Sequence, residues 1–207
     1  MTSTPIVSSE DWKKAVDFHG HICPGLAIGF KAAVAGLERL GEKRSEDEEI
    51  VTVVETNACG ADAIQVLTGC TFGKGNFIYK DHGKQVFTFI GRESGASVRV
   101  ALKPGVLELS DRHRELIEKR RSGVATKEEN DEFQEMHRRR SYDILDFDLD
   151  KLFDIRDVET ELPPKAQIEP SKICDLCGEP TMASMLQETE DGRFLCKPCL
   201  ADTPSGS

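Results

Sequence analysis

Phe18-His19-Gly20-His21-Ile22-Cys23-Pro24-Gly25, running straight into Leu26-Ala27-Ile28-Gly29-Phe30-Lys31-Ala32-Ala33-Val34-Ala35-Gly36-Leu37-Glu38-Arg39-Leu40, decides how the first half of this chain folds. Leu26, Phe30, Ala33, Val34, Leu37 and Leu40 recur at helical spacing, and Gly41 stands where such a helix stops. Pro24 suits the first helical position, which places Cys23 at the N-cap. The small residues Ala27, Gly29, Ala32, Ala33, Ala35 and Gly36 predict a helix packed closely against other backbone.

Working outward, Asp11 to Phe18 reads as a short helix or turn carrying Trp12 and Val16, and Arg44 to Glu49 as a charged loop. Ile50 to Glu55 is a β-branched strand, Ala61 to Leu67 a second helix, and Thr68 to Asn76 a glycine-rich loop. Strand-like runs follow at Phe77–Lys80, Gln85–Ile90 and Ala96–Leu102. Residues 1–109 therefore predict an α+β core, helices packed on a small, mostly antiparallel sheet. Residues 110–160 change character. Asp111 to Arg121 is helical behind a Ser110 cap, and Thr126 with Glu129 forms a capping box for a second helix. That helix starts acidic and is expected to end basic at Arg138-Arg139-Arg140, as the dipole favours. The pair carries few apolar residues (Leu116, Ile117, Phe133, Met136), so it reads as an arm with a return segment, Phe147 to Ile155. Pro163 to Pro170 is a linker (161–170) into a last module at 171–203.

The 207 residues carry a net charge of −10, with −1 over residues 1–103, −6 over 104–170 and −3 over 171–207. No basic stripe stands ready for phosphates, which argues against nucleic acid as the partner. No run reaches the roughly 18 apolar residues of a membrane span. Met1-Thr2-Ser3-Thr4-Pro5 has no signal-like pattern, so a cytoplasmic location is expected and the seven cysteines read as metal ligands or reactive thiols.

Four of those cysteines form Cys174-x2-Cys177 and Cys196-x2-Cys199, 18 residues apart. Zinc takes four thiolates in a tetrahedron, and each C-x2-C knuckle supplies two from one tight turn. This spacing predicts a zinc-ribbon-like module around a structural zinc, with a hairpin through Glu190-Asp191-Gly192. A second constellation is His19, His21 and Cys23, with Cys59 in Glu55-Thr56-Asn57-Ala58-Cys59-Gly60-Ala61-Asp62. Alternate residues of an extended stretch point to one side, and a helix N-terminus favours a thiolate at Cys23 and at Cys59. This donor set suits zinc or another late transition metal with one open position, and Cys23 and Cys59 are the candidate reactive groups. The competing account is structural histidines and inert thiols, which Cys70 fits best. In Thr68-Gly69-Cys70-Thr71-Phe72-Gly73-Lys74-Gly75-Asn76, glycines would let backbone N–H groups approach a ligand, with Lys74 and Asn76 as contacts.

With these segments in view, the chain resembles the FmdE family, named for a component of formylmethanofuran dehydrogenase. The resemblance rests on Phe18 to Gly25, Cys59-Gly60-Ala61-Asp62-Ala63-Ile64-Gln65, Thr68 to Asn76 and the four-cysteine tail. It implies an α+β core with a metal-bearing cleft, a helical arm that helps form a homodimer, and a zinc-finger tail. It also implies association with a molybdenum or tungsten enzyme of one-carbon metabolism. No iron–sulfur spacing such as C-x2-C-x2-C is present, so this chain is not by itself that redox catalyst. Two functions stay open: a metal-dependent enzyme or accessory subunit with a small molecule in the cleft, or a non-enzymatic zinc regulator or scaffold that docks proteins.

Overall fold

A computed structural model describes residues 9–202; residues 1–8, with the Met1–Pro5 stretch, and the Thr203–Ser207 tail lie outside the described residues. The chain divides into two compact units, one up to Lys165 and one from Ala166 onward.

The first unit is organised around α2 (Pro24–Leu40). Its small residues do what the sequence predicts. A Cβ added at Gly29 would lie 2.1 Å from the Gly60 carbonyl oxygen, and one at Gly36 would lie 2.3 Å from the Phe89 ring. α2 therefore touches α3 (Gly60–Thr68) backbone to backbone and lies directly on the sheet. The five strands are β1 (Ile50–Val54), β2 (Phe77–Tyr79), β3 (Val86–Gly91), β4 (Ser97–Leu102) and β5 (Phe153–Asp157), in the order β2-β1-β3-β4-β5. Only β1 and β2 run parallel, as the two halves of a β1–α3–β2 crossover; the other pairings are antiparallel. Alternation puts Phe87 and Phe89 of β3 opposite Val100 and Val98 of β4, in one buried cluster with Leu26, Phe30 and Ile64. Each large apolar side chain removed from water there contributes about 1.5–3 kcal/mol.

α1 (Glu10–His19) starts on a Ser9 cap and packs Trp12 edge-on against Phe30, 5.3 Å between ring centroids. α4 (Asp111–Arg121) and α5 (Lys127–Asp146) form the predicted arm, with the Ser110 cap and the Thr126/Glu129 capping box in place. One expectation about α5 fails. The helix does not end at Arg138–Arg140 but continues to Asp146, because Ile144 and Leu145 extend its apolar stripe into the core. Its end is capped from α2, where buried Lys31 donates from Nζ to the Leu145 carbonyl at 3.0 Å. The arginines serve laterally instead. Arg138 pairs with Glu135 at 2.5 Å, and Arg140 donates to the Leu107 carbonyl. Beyond α6 (Leu149–Leu152), the return segment becomes β5, the sheet's edge strand. Within the arm, Leu116 is fully buried, while Phe133 meets the rings of His113 and His137 and the Arg120 guanidinium.

The second unit has two small hairpins, β6 (Ser171–Ile173) with β7 (Pro180–Met182) and β8 (Leu186–Glu188) with β9 (Phe194–Cys196), and closes with α7 (Lys197–Asp202). Among the described residues, no helix is long and apolar enough to cross a membrane.

Candidate metal centres

His19 is the last residue of α1, and Gly20 follows in the left-handed region (φ +88°), reversing the chain. Cys23 then caps α2 with an extended backbone, its Sγ accepting from the Leu26 N–H at 3.4 Å. The three side chains meet through this turn, rather than by alternation along one extended stretch. His19 Nε2 lies 3.6 Å from Cys23 Sγ, the two imidazole rings are 4.4 Å apart, and His19, His21 and Cys23 each offer a donor atom within 4.8 Å of the others.

A residue that sequence reasoning gave no role completes the arrangement. Asp62, in the first turn of α3, bonds His19 Nδ1 through Oδ2 at 2.7 Å. Held there, the ring keeps Nε2 toward Cys23, as in carboxylate–histidine–metal sites. The signal available in sequence was an acidic residue in a helix's first turn, which ordinary dipole matching already explains.

Burial pushes the Cys23 thiol up to about 11, against the N–H of Leu26 and with further help from Cys59. The expected helix-terminus activation is thus outweighed. In the free protein Cys23 is a thiol at neutral pH, and a cation must displace its proton to bind. Cys59 begins α3 at the carboxyl end of β1, beside Gly25, and acts on the Cys23 thiol. It stands outside the set of three donors that lie within 4.8 Å.

The glycine-rich loop serves the fold. Lys74 donates to the carbonyls of Glu46 and Asp47 (3.2 and 2.8 Å). Buried Asn76 accepts from the Thr71 N–H and donates to Asp47 and Ile50. Both brace the 46–50 segment, leaving the Asn76 amide saturated by protein. Cys70 is fully buried between Thr52 and the Ile50 carbonyl, a packing thiol.

In the second unit Cys174, Cys177, Cys196 and Cys199 bring their sulfurs within 4.8 Å of one another. The first pair comes from the knuckle between β6 and β7, where Gly178 turns at φ +74° and returns its N–H to the Cys174 carbonyl at 2.9 Å. The second pair comes from the end of β9 and the start of α7. Backbone N–H groups of Cys177, Cys196 and Leu176 lower the Cys174 thiol to about 6, while the neighbouring thiol of Cys196 pushes Cys199 upward. Four convergent sulfurs can hold a metal ion, with no position left over for a substrate.

An α+β domain bearing an imidazole–thiol donor set, followed by a four-thiol module, defines a class of metal-binding proteins. The model of the FmdE family, described as "FmdE, Molybdenum formylmethanofuran dehydrogenase operon", matches residues 18–154. The chain belongs to the FmdE family. It is 34% identical over 184 residues to a protein of Archaeoglobus fulgidus named as a probable S-adenosyl-L-methionine-binding protein, covering 84% of this chain and 50% of that one. The chain thus spans about half the length of that relative. An FmdE-like protein of tungsten formylmethanofuran dehydrogenase from Syntrophus aciditrophicus has the same fold, with a TM-score of 0.59 at 24% identity and full coverage of both chains.

Proposed function

We propose that this protein is a zinc-binding accessory subunit of a molybdenum- or tungsten-dependent formylmethanofuran dehydrogenase, with a core cleft that takes a small ligand at a second metal ion. The observation that carries this reading is the convergence of His19, His21 and Cys23 with His19 oriented by Asp62. Three protein donors of this softness suit zinc and leave a fourth position for Cys59 or an incoming molecule. Zinc on the four tail thiols would be structural. The core ion would supply Lewis acidity. The chain's own part is to set the imidazole orientation through Asp62 and to keep Cys23 buried. In this reading the protein works in the cytoplasm as a homodimer joined through the arm, and sedimentation of the intact chain against one lacking Arg112 to Arg140 tests the dimer. A monomeric mass at micromolar concentration would refute it.

Elemental analysis tests the metal assignment. The intact protein should carry about two zinc ions per chain, and the combined His19→Ala, His21→Ala, Cys23→Ser variant about one. An unchanged stoichiometry would remove the core site and leave the competing reading, a zinc-stabilised regulator or scaffold. Cys59→Ser separates the thiols: a retained second ion assigns the fourth position to an outside molecule.

A further inference from the structure

Along α5, Asp131, Gln134, Glu135 and Arg138 fall at i, i+3, i+4 and i+7, a stripe without one apolar side chain. A stripe of this kind is ordinarily just a solvated face. Here it forms one wall of a groove of about 400 Å³ whose other wall is His21 and Ile22. The groove therefore opens onto a member of the core donor set.

Its charges are not balanced. Glu135 is neutralised by Arg138 at 2.5 Å. Neither the Asp131 carboxylate nor the Gln134 amide has a hydrogen-bond or ion-pair partner among the described residues. Across from an ion held by His19, His21 and Cys23, the groove thus offers one uncompensated negative charge and one free amide.

We propose, resting on the core-metal reading, that this groove selects a small amine-bearing soft ligand of the aminothiol class. Its sulfur occupies the ion's fourth position, its ammonium faces Asp131, and Gln134 supplies a hydrogen bond. A soft donor fits an imidazole–thiolate ion, and an ammonium is the complement of a lone carboxylate. Arg138 is already engaged by Glu135, so a purely anionic thiol gains nothing from the wall.

The test uses the full-length protein loaded with cobalt(II), whose visible bands report a new sulfur ligand. Cysteamine and 2-mercaptoethanol are the probes, alike in the thiol and differing in the ammonium. The quantity read is the ratio of their affinities, in wild type and in Asp131→Asn, so that intrinsic thiol differences cancel. The ratio should fall roughly fivefold in the variant, with 2-mercaptoethanol unaffected, as expected for a partly exposed ion pair. An unchanged ratio, or bands that neither thiol shifts, overturns the groove assignment while the core metal stands. Cobalt present at the tail thiols alone overturns the core-metal reading itself, and metal counting distinguishes that result. Asp131 lies on a solvated helix face, so the asparagine variant should fold, and Trp12 fluorescence verifies it.

Discussion

Phe87, Phe89, Leu26 and Ile64 lie essentially out of water in the first unit, in a cluster that joins helices and sheet, whereas the second unit buries only Leu195 beside Cys174 and Cys196. The second unit leaves Ile173, Leu176 and Met182 more than half exposed. Some forty residues with so little apolar burial cannot offset the chain entropy of ordering them. The first unit stands on packing and uses the ends of three helices to build a site. The second requires its four sulfurs to be tied together before its hairpins have a reason to persist. Metal is thus an addition in one unit and the centre of the fold in the other.

The largest effect that tests this contrast is removal of one tail sulfur. Cys177→Ser should unfold the second unit, since structural zinc contributes an apparent ~10–16 kcal/mol in finger-sized peptides. Limited proteolysis should then trim the chain back to the linker while Trp12 fluorescence stays native. A tail that resists protease without its zinc would erase the distinction. Next comes Phe89→Ala, which opens a void where the ring meets Gly36 and should cost the first unit about 3–5 kcal/mol in urea denaturation. Zinc should remain on the tail throughout.

Asp62→Asn sharpens the comparison within the first unit. The variant keeps the shape but loses the charge that orients His19, and core metal affinity should drop about 10–100-fold in a chelator competition, with urea stability little changed. A fall in stability with affinity intact would make Asp62 a packing residue. The smallest effect concerns acid. Burial, then His113 and the arginines Arg120 and Arg140, lower His137 from 6.5 to about 4. Between those values the unfolded chain binds a proton that the folded chain refuses. This contribution to stability is therefore complete above about pH 6.5 and declines as pH falls toward 4. Replacing His137 with Asn should flatten the first unit's stability profile over that window, and denaturation midpoints at several pH values would reveal a slope that did not change.

Local rules made most of the elements legible. Pro24 behind Cys23, Ser110, and Thr126 with Glu129 each mark a helix start by chemistry that needs only near neighbours. β5 was hard to see because Asp154, Arg156 and Asp157 make it look like charged loop. It is a strand because it pairs with β4 across about fifty intervening residues. The donors His19, His21 and Cys23 were readable as residue types, yet how they meet depends on Gly20's left-handed turn. Asp62 could be placed at His19 only by the tertiary crossing of α3. Lys74 and Asn76 carry ligand-like chemistry, and their use as braces follows from where residues 46–50 lie, which no spacing encodes.

The backbone contact between Gly29 and Gly60 has a consequence for how this protein can drift over generations. α2 carries Cys23 at its start and α3 carries Cys59 and Asp62, so the distance between the two helices is also the distance between the halves of the core site. A single methyl at position 29 would meet the Gly60 carbonyl at 2.1 Å and push those halves apart. Descendants can rewrite the arm's exposed face or the linker freely. At position 29 the route to any larger residue passes through forms that have already lost the site, so that glycine should outlast most of the sequence around it.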